Sequence, residues 1–257
     1  TEQSLLVLYG TGANGKSTFL QTLQDLLGDY AQTMPPETLM MQRGDRIPND
    51  IARLAGVRFA IAVESGVRRP LNESLVKQMT GGDRLTARFL HGEYFEIKPQ
   101  FKAVLGTNHK PKISGQDLGI WRRIKLVPFT VTIPHKDQDK KLSEKLRREL
   151  PGILAWAVEG CLAWQKECED HGGLTEPQVV KEATGEYKTE SDVIAEWIEE
   201  CCDRGDKHHS TPKELYASYR TWCEASGVKA MTKAWLGRLL KERGFDSMRT
   251  KKDRLWL

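Results

Sequence analysis

The 257-residue chain is 39% hydrophobic with a net charge of +4 at pH 7, an isoelectric point near 8.7 and a mean hydropathy of −0.52. Its size suits one α/β core plus a small second domain, and no apolar run approaches the roughly 18 residues of a membrane span. Five cysteines, an odd number with no C-x-x-C pair, and no visible signal peptide read as a reduced, cytoplasmic chain.

The chain begins at Thr1 without Met, almost inside an apolar strand, and reads as a fragment with an upstream domain removed. Residues 5–9 (LLVLY) form a buried strand ending at Gly10. From Ser17 to Leu27, Phe19, Leu20, Leu23, Leu26 and Leu27 recur at helical spacing, and Gly28 stops the helix. Residues 35–50, broken by Pro35, Pro36 and Pro48, are a helix or loop connection. Phe59–Val63 (FAIAV) is a second strand, ending in Glu64, and Asn72–Thr80 a short helix before Gly81-Gly82. Leu85–Lys98 (LTARFLHGEYFEIK) has strand-like runs on either side of His91-Gly92, a β-hairpin pattern. Phe101–Leu105 and Ile124–Phe129 are two further strands.

Residues 136–170 are helical, with Pro151 opening a second helix, and the polar stretch 171–190 reads as a linker. Helices follow near 191–203, 212–226 and 232–243, then a two-stranded ribbon over Phe245–Leu257. This is the winged-helix pattern. Nine Lys or Arg against three acids from Lys229 to Leu257 make that end basic, which suits phosphate contact. His208 and His209 read as a solvated loop, not a zinc site. The expected domains are 1–134 (core), 135–190 (helical segment and linker) and 191–257 (winged-helix-like).

The motif G-x-x-x-x-G-K-[ST] is met by Gly10, Gly15, Lys16 and Ser17. Its glycines let backbone N–H groups turn toward phosphate oxygens, and the helix that follows offers its positive end. Gly10, Thr11, Gly12, Ala13, Asn14, Gly15, Lys16, Ser17 and Thr18 are therefore the candidate nucleotide cradle. Lys16 would reach the β- and γ-phosphates, and Ser17 would hold Mg²⁺. Glu64, the acid ending a core strand, is a candidate for the Mg²⁺ shell or for orienting the attacking water. Asn108, at a strand's C-terminal end, faces the crevice of an open α/β sheet; a turn-forming Asn before Pro111 is the alternative. Arg122 and Arg123 suit phosphate oxygens or simply begin a surface strand. The hairpin, with Arg84, Arg88, His91 and Lys98 among Phe89, Tyr94 and Phe95, suits single-stranded nucleic acid by phosphate contact and stacking. Its alternative is an ordinary hairpin, with Phe95 in the core.

Together the strings GTGANGKSTFL, AVESG, LNESLVKQMTGGDRLTARFLHGEYFEIKPQFKAVLGTNHKP and GIWRRIKLVPF resemble the superfamily 3 helicases. The closest likeness is to the helicase half of phage and plasmid primase-helicases, related to the poxvirus primase-helicase. The resemblance covers Leu5 to about Pro134 and extends to a C-terminal winged helix. It implies an AAA+-like P-loop core with a central, mostly parallel sheet, using ATP and Mg²⁺. It implies a hexameric ring in the full-length protein, moving 3′ to 5′ on single-stranded and forked DNA during replication of a phage, plasmid or mobile element. A primase domain would lie upstream in the same polypeptide, in the cytoplasm of a bacterial or infected host cell. The fragment itself would be a monomer or weak oligomer.

By that resemblance Gly10–Ser17 is the Walker A loop, Glu64 ends the Walker B strand and Asn108 senses the γ-phosphate. Lys77 through Gly82 begins the third motif, and Arg88 and His91 sit on a hairpin facing the DNA channel, with Lys77, Arg88 and His91 as DNA contacts. Arg123, favoured over Arg122, is the arginine finger that acts on a neighbour's nucleotide. Many relatives have two adjacent acids at the end of the Walker B strand. Here Glu64 stands between Val63 and Ser65, so it acts alone or with Asp83 or Glu73. The readings from other classes are a small-molecule kinase and a DNA-binding or scaffolding module with a non-hydrolysing P-loop.

Overall fold

The computed structural model describes residues 2–42, 49–64, 69–113, 117–203, 208–228, 230–245, 247–249 and 254–256, with backbone alone at 64, 247–249, 254 and 255. The chain divides into two compact units, Thr1–Ser191 and Asp192–Leu257.

Five strands form the sheet of the first unit: β1 (Leu5–Tyr9), β2 (Ala31–Thr33), β3 (Phe59–Glu64), β6 (Lys102–Thr107) and β7 (Ile124–Pro128). Their order is β2-β3-β6-β1-β7, and every pairing is parallel. Parallel strands are covered on both faces, so their sequences are near-continuous apolar runs, and alternate residues serve alternate faces. Leu5 and Val7, Ala60 and Ala62, Ala103 and Leu105, and Ile124 and Leu126 share one core. Leu6 and Leu8, Phe59 and Ile61, Val104 and Val127 meet Leu20 of helix α1 (Lys16–Leu27) in the other. Each fully buried aliphatic side chain contributes about 1.5–3 kcal/mol.

A short α2 (Asn49–Ala52) precedes β3, and α3 (Glu73–Gly81) follows it. Asn72 caps α3 by accepting from the Leu75 N–H at 3.1 Å. Strands β4 (Leu85–Ala87) and β5 (Phe95–Ile97) pair antiparallel as the expected hairpin, Leu85 opposite Ile97. Short α4 (Leu118–Trp121) leads into β7, and α5 (Leu142–Arg148) and α6 (Leu150–His171) follow it.

The polar stretch after residue 171 is not a linker throughout. Gln178–Glu190 forms helix α7, because Val180, Ala183 and Tyr187 lie on one face at spacings of three and four. Tyr187 is fully buried, meets Trp121 edge-on at 5.3 Å and donates its hydroxyl to the Pro111 carbonyl. The α7 segment thus completes the first unit's core.

The second unit has α8 (Val193–Cys201), α9 (Pro212–Ala225), α10 (Lys233–Glu242) and a ribbon of β8 (Ser247–Arg249) and β9 (Arg254–Trp256). Trp197 and Tyr219, both fully buried, cross edge to face at 5.4 Å within its core. A Thr211–Glu214 capping box starts α9. His208 and His209 are exposed, and no metal-binding group of His, Cys, Asp or Glu occurs among the described residues. Much of the basic stretch from Lys229 onward, including Lys229, Lys251 and Lys252, lies outside the described residues.

Candidate nucleotide site

The chain leaves β1 at Tyr9 and turns through Gly10–Gly15 into α1. Gly12 (φ 108°), Ala13 (φ 48°) and Gly15 (φ 84°) have left-handed backbone. For Ala13 this costs about 1–2 kcal/mol, and the Ile133 N–H holds its carbonyl at 2.7 Å. Gly10 is required by close approach. A Cβ there would stand 2.3 Å from both the Phe129 carbonyl oxygen and Asn14 Nδ2. Gly10→Ala should therefore displace the loop and abolish nucleotide binding, read as loss of ATP-induced thermal stabilisation.

Lys16 is 7% exposed, and its Nζ donates to the Gly10 carbonyl at 2.7 Å and to Asn14 Oδ1 at 2.9 Å. Burial pulls its ammonium below the usual lysine range. Asn14 donates in turn to the Phe129 carbonyl at 3.1 Å, so it ties Lys16 to the segment after β7. Sequence reading counted Asn14 in the cradle but gave no sign of this bracing role.

Strand order places the rest of the site. Because β6 lies between β1 and β3, the ends of three strands fall in a row: Tyr9 pairs with Thr107, and Thr107 with Glu64. At about 4.8 Å per strand, Glu64 and Tyr9 are roughly 10 Å apart along the backbone. A cavity of about 310 Å³ opens there, lined by Gly12–Thr18, Leu20, Val63, Gly106, Thr107 and Asn108. Ser17 and half-buried Asn108 both face it. The Thr107 hydroxyl accepts from the His109 N–H at 3.0 Å and donates to the His109 carbonyl at 2.7 Å, which fixes the turn carrying Asn108.

Arg123 lies at the opposite edge of the sheet. Ile124 pairs with Leu5, the first residue of β1, whereas the P-loop follows the last. The Arg123 side chain is 8% exposed. It donates to Thr80 Oγ1 (3.1 Å), the Gly119 carbonyl (2.5 Å) and Gln3 Oε1 (3.2 Å). Burial and neighbouring Arg122 pull its guanidinium down from the usual arginine range, against the pull of Asp83 and Asp117. Asp83, considered as a partner for Glu64, thus belongs to the Arg123 edge. Glu73 stands in the first turn of α3. Arg122 is exposed.

Lys77 is on α3, away from the hairpin strands, and its Nζ pairs with Asp117 Oδ2 at 2.9 Å. Burial pushes the Asp117 carboxyl up, but Lys77 and the α4 backbone hold it below the usual range. His91, with φ 61°, is exposed in the hairpin turn. Arg88 sits half-buried beside Tyr94.

An all-parallel sheet with a G-x-x-x-x-G-K-S loop between an interior strand and the first helix is a P-loop α/β fold. Residues 8–123 match a family described as "Family of unknown function (DUF5906)" and residues 189–254 one described as "Poxvirus D5 protein-like". "Putative helicase L207/L206" of Acanthamoeba polyphaga mimivirus is 32% identical over 88% of this chain and 25% of its own length. "Putative helicase 022R" of Frog virus 3 is 30% identical over 93% of this chain and 26% of its own. "Putative primase C962R" of African swine fever virus is 26% identical over 56% of this chain and 15% of its own. The NrS-1 C-terminal region shares the fold, with a TM-score of 0.53 at 12% identity over 99% of this chain and 66% of that one. The chain is a relative of the helicase half of the primase-helicases. It spans about a quarter of the length of the viral helicases it matches.

No helix among the described residues is long and apolar enough to cross a membrane.

Proposed function

We propose that the chain is the ATP-driven motor of a primase-helicase, moving 3′ to 5′ along one DNA strand to replicate a phage, plasmid or other mobile element. The observation that supports this most is the row formed by the P-loop, Asn108 and Glu64 across β1, β6 and β3. In this reading Gly10–Thr18 holds the triphosphate, with Lys16 on its β- and γ-phosphates. Ser17 and Glu64 hold Mg²⁺, which supplies charge neutralisation at the transferring phosphoryl group. Asn108 orients the γ-phosphate or the attacking water. Arg123 acts on the nucleotide of the next subunit in a hexameric ring of the full-length protein, which works in the cytoplasm and carries its primase domain upstream. Arg88 and His91 of the hairpin meet the strand, and the second unit acts as a winged helix.

The test is ATPase activity against protein concentration, with and without single-stranded DNA. A shared site predicts specific activity that rises with concentration and is stimulated by DNA. Turnover indifferent to DNA and stimulated by a small phosphate acceptor would favour a kinase, and no turnover would favour a DNA-binding module with a silent P-loop.

A further inference from the structure

The tip of the β4–β5 hairpin presents rings more than free cations. Phe89 is 50%, Leu90 59% and Tyr94 60% exposed, although exposing apolar surface is costly at roughly 25 cal/mol per Å². The Phe89 ring stacks on Phe95 at 5.6 Å and 26°, and Phe95 packs against the core. The cations nearby are engaged. Arg84 pairs with Glu96 at 2.8 Å. The Arg88 guanidinium lies 4.7 Å from the centre of the Tyr94 ring, and its Nε is buried without a hydrogen-bond partner. Lys77 is bound to Asp117.

We propose that this tip binds single-stranded DNA through its bases, with Phe89 and Tyr94 as stacking surfaces and Arg88 as a positioning residue that holds the Tyr94 ring. The inference rests on the strand-moving reading and names the chemistry of contact. Every base has a π-face, so stacking is tolerant of sequence, as travel along arbitrary DNA requires. Phosphate contact alone would call for free cations at the tip.

The test measures nucleotide-free binding of the full chain to labelled oligo-dT and to the same backbone with abasic sites, across a salt series. Phe89→Leu keeps an apolar side chain against Phe95 but removes the ring. It should weaken oligo-dT binding about 5- to 100-fold with no change in the slope of log affinity against log salt, because no phosphate contact is lost. Wild type and Phe89→Leu should bind the abasic strand alike, and Phe89→Trp should restore binding to oligo-dT. Undiminished binding by Phe89→Leu, an equal loss on the abasic strand, or no restoration by Trp would overturn base stacking and leave the motor intact. Loss of self-association with strand binding retained would reassign the tip to subunit contact, overturning the proposal. A wild-type chain that binds no strand at all would overturn the motor reading as well.

Discussion

Lys16→Ala should reduce ATP hydrolysis to background while the fold persists. Among the described residues lining the cavity, Lys16 is the one cation, so the substitution removes the charge that faces the phosphates. It also removes the donor to the Gly10 carbonyl and Asn14 Oδ1, at a structural cost of about 1 kcal/mol per bond. The loop is also held by Ile133 to Ala13 and Phe129 to Asn14, so melting should shift by a few degrees at most. Circular dichroism melts beside a phosphate-release assay make the check. Turnover within tenfold of wild type would sink the reading of this loop as the hydrolytic site.

The second large effect is expected from an arginine acting between subunits. Arg123 cannot serve its own P-loop, because a β-strand separates them: β1 advances about 13 Å from Leu5 to Tyr9, and Arg123 precedes the partner of Leu5. Arginine fingers contribute about 10³–10⁵ in rate, roughly 4–7 kcal/mol of barrier. Arg123→Ala should lose most of its turnover, and mixing it with Lys16→Ala should restore part. In such a mixture an intact Arg123 can meet an intact Lys16 across an interface. Activity no greater than the sum of the two proteins, in a mixture shown by cross-linking to contain mixed assemblies, would refute the arrangement. Its buried contacts with Thr80, Gly119 and Gln3 must exchange for contact with the neighbour. Exposed Arg122 is the control: a deeper loss in Arg122→Ala would move the assignment one residue back.

The core strands were legible because burial on both faces requires continuous apolar runs such as LLVLY and FAIAV, and the P-loop because its chemistry needs glycine and lysine at fixed spacing. The hairpin was legible from two runs flanking His91-Gly92. Strand order was not, since nothing in the run KAVLGT states that β6 inserts between β1 and β3. That insertion is what sets Asn108 beside the loop. Helix α7 was hidden because its apolar face is only Val180, Ala183 and Tyr187 amid charged residues, too sparse to stand out from a polar linker. The surroundings of Arg123 were equally unreadable: Gln3, Thr80 and Gly119 are scattered along the chain and meet only once the sheet is assembled.

Strand β6 has a mechanical consequence. Its first residue, Lys102, follows the hairpin by four residues, and its last, Thr107, adjoins Asn108 at the cavity. Six extended residues make a strut of about 20 Å, clamped along its length by neighbours on both sides. Such a strut transmits displacement instead of absorbing it. A shift at Asn108 when the γ-phosphate leaves would be delivered to the root of the hairpin with little slack, so the fuel gauge and the gripping arm are opposite ends of one stiff rod.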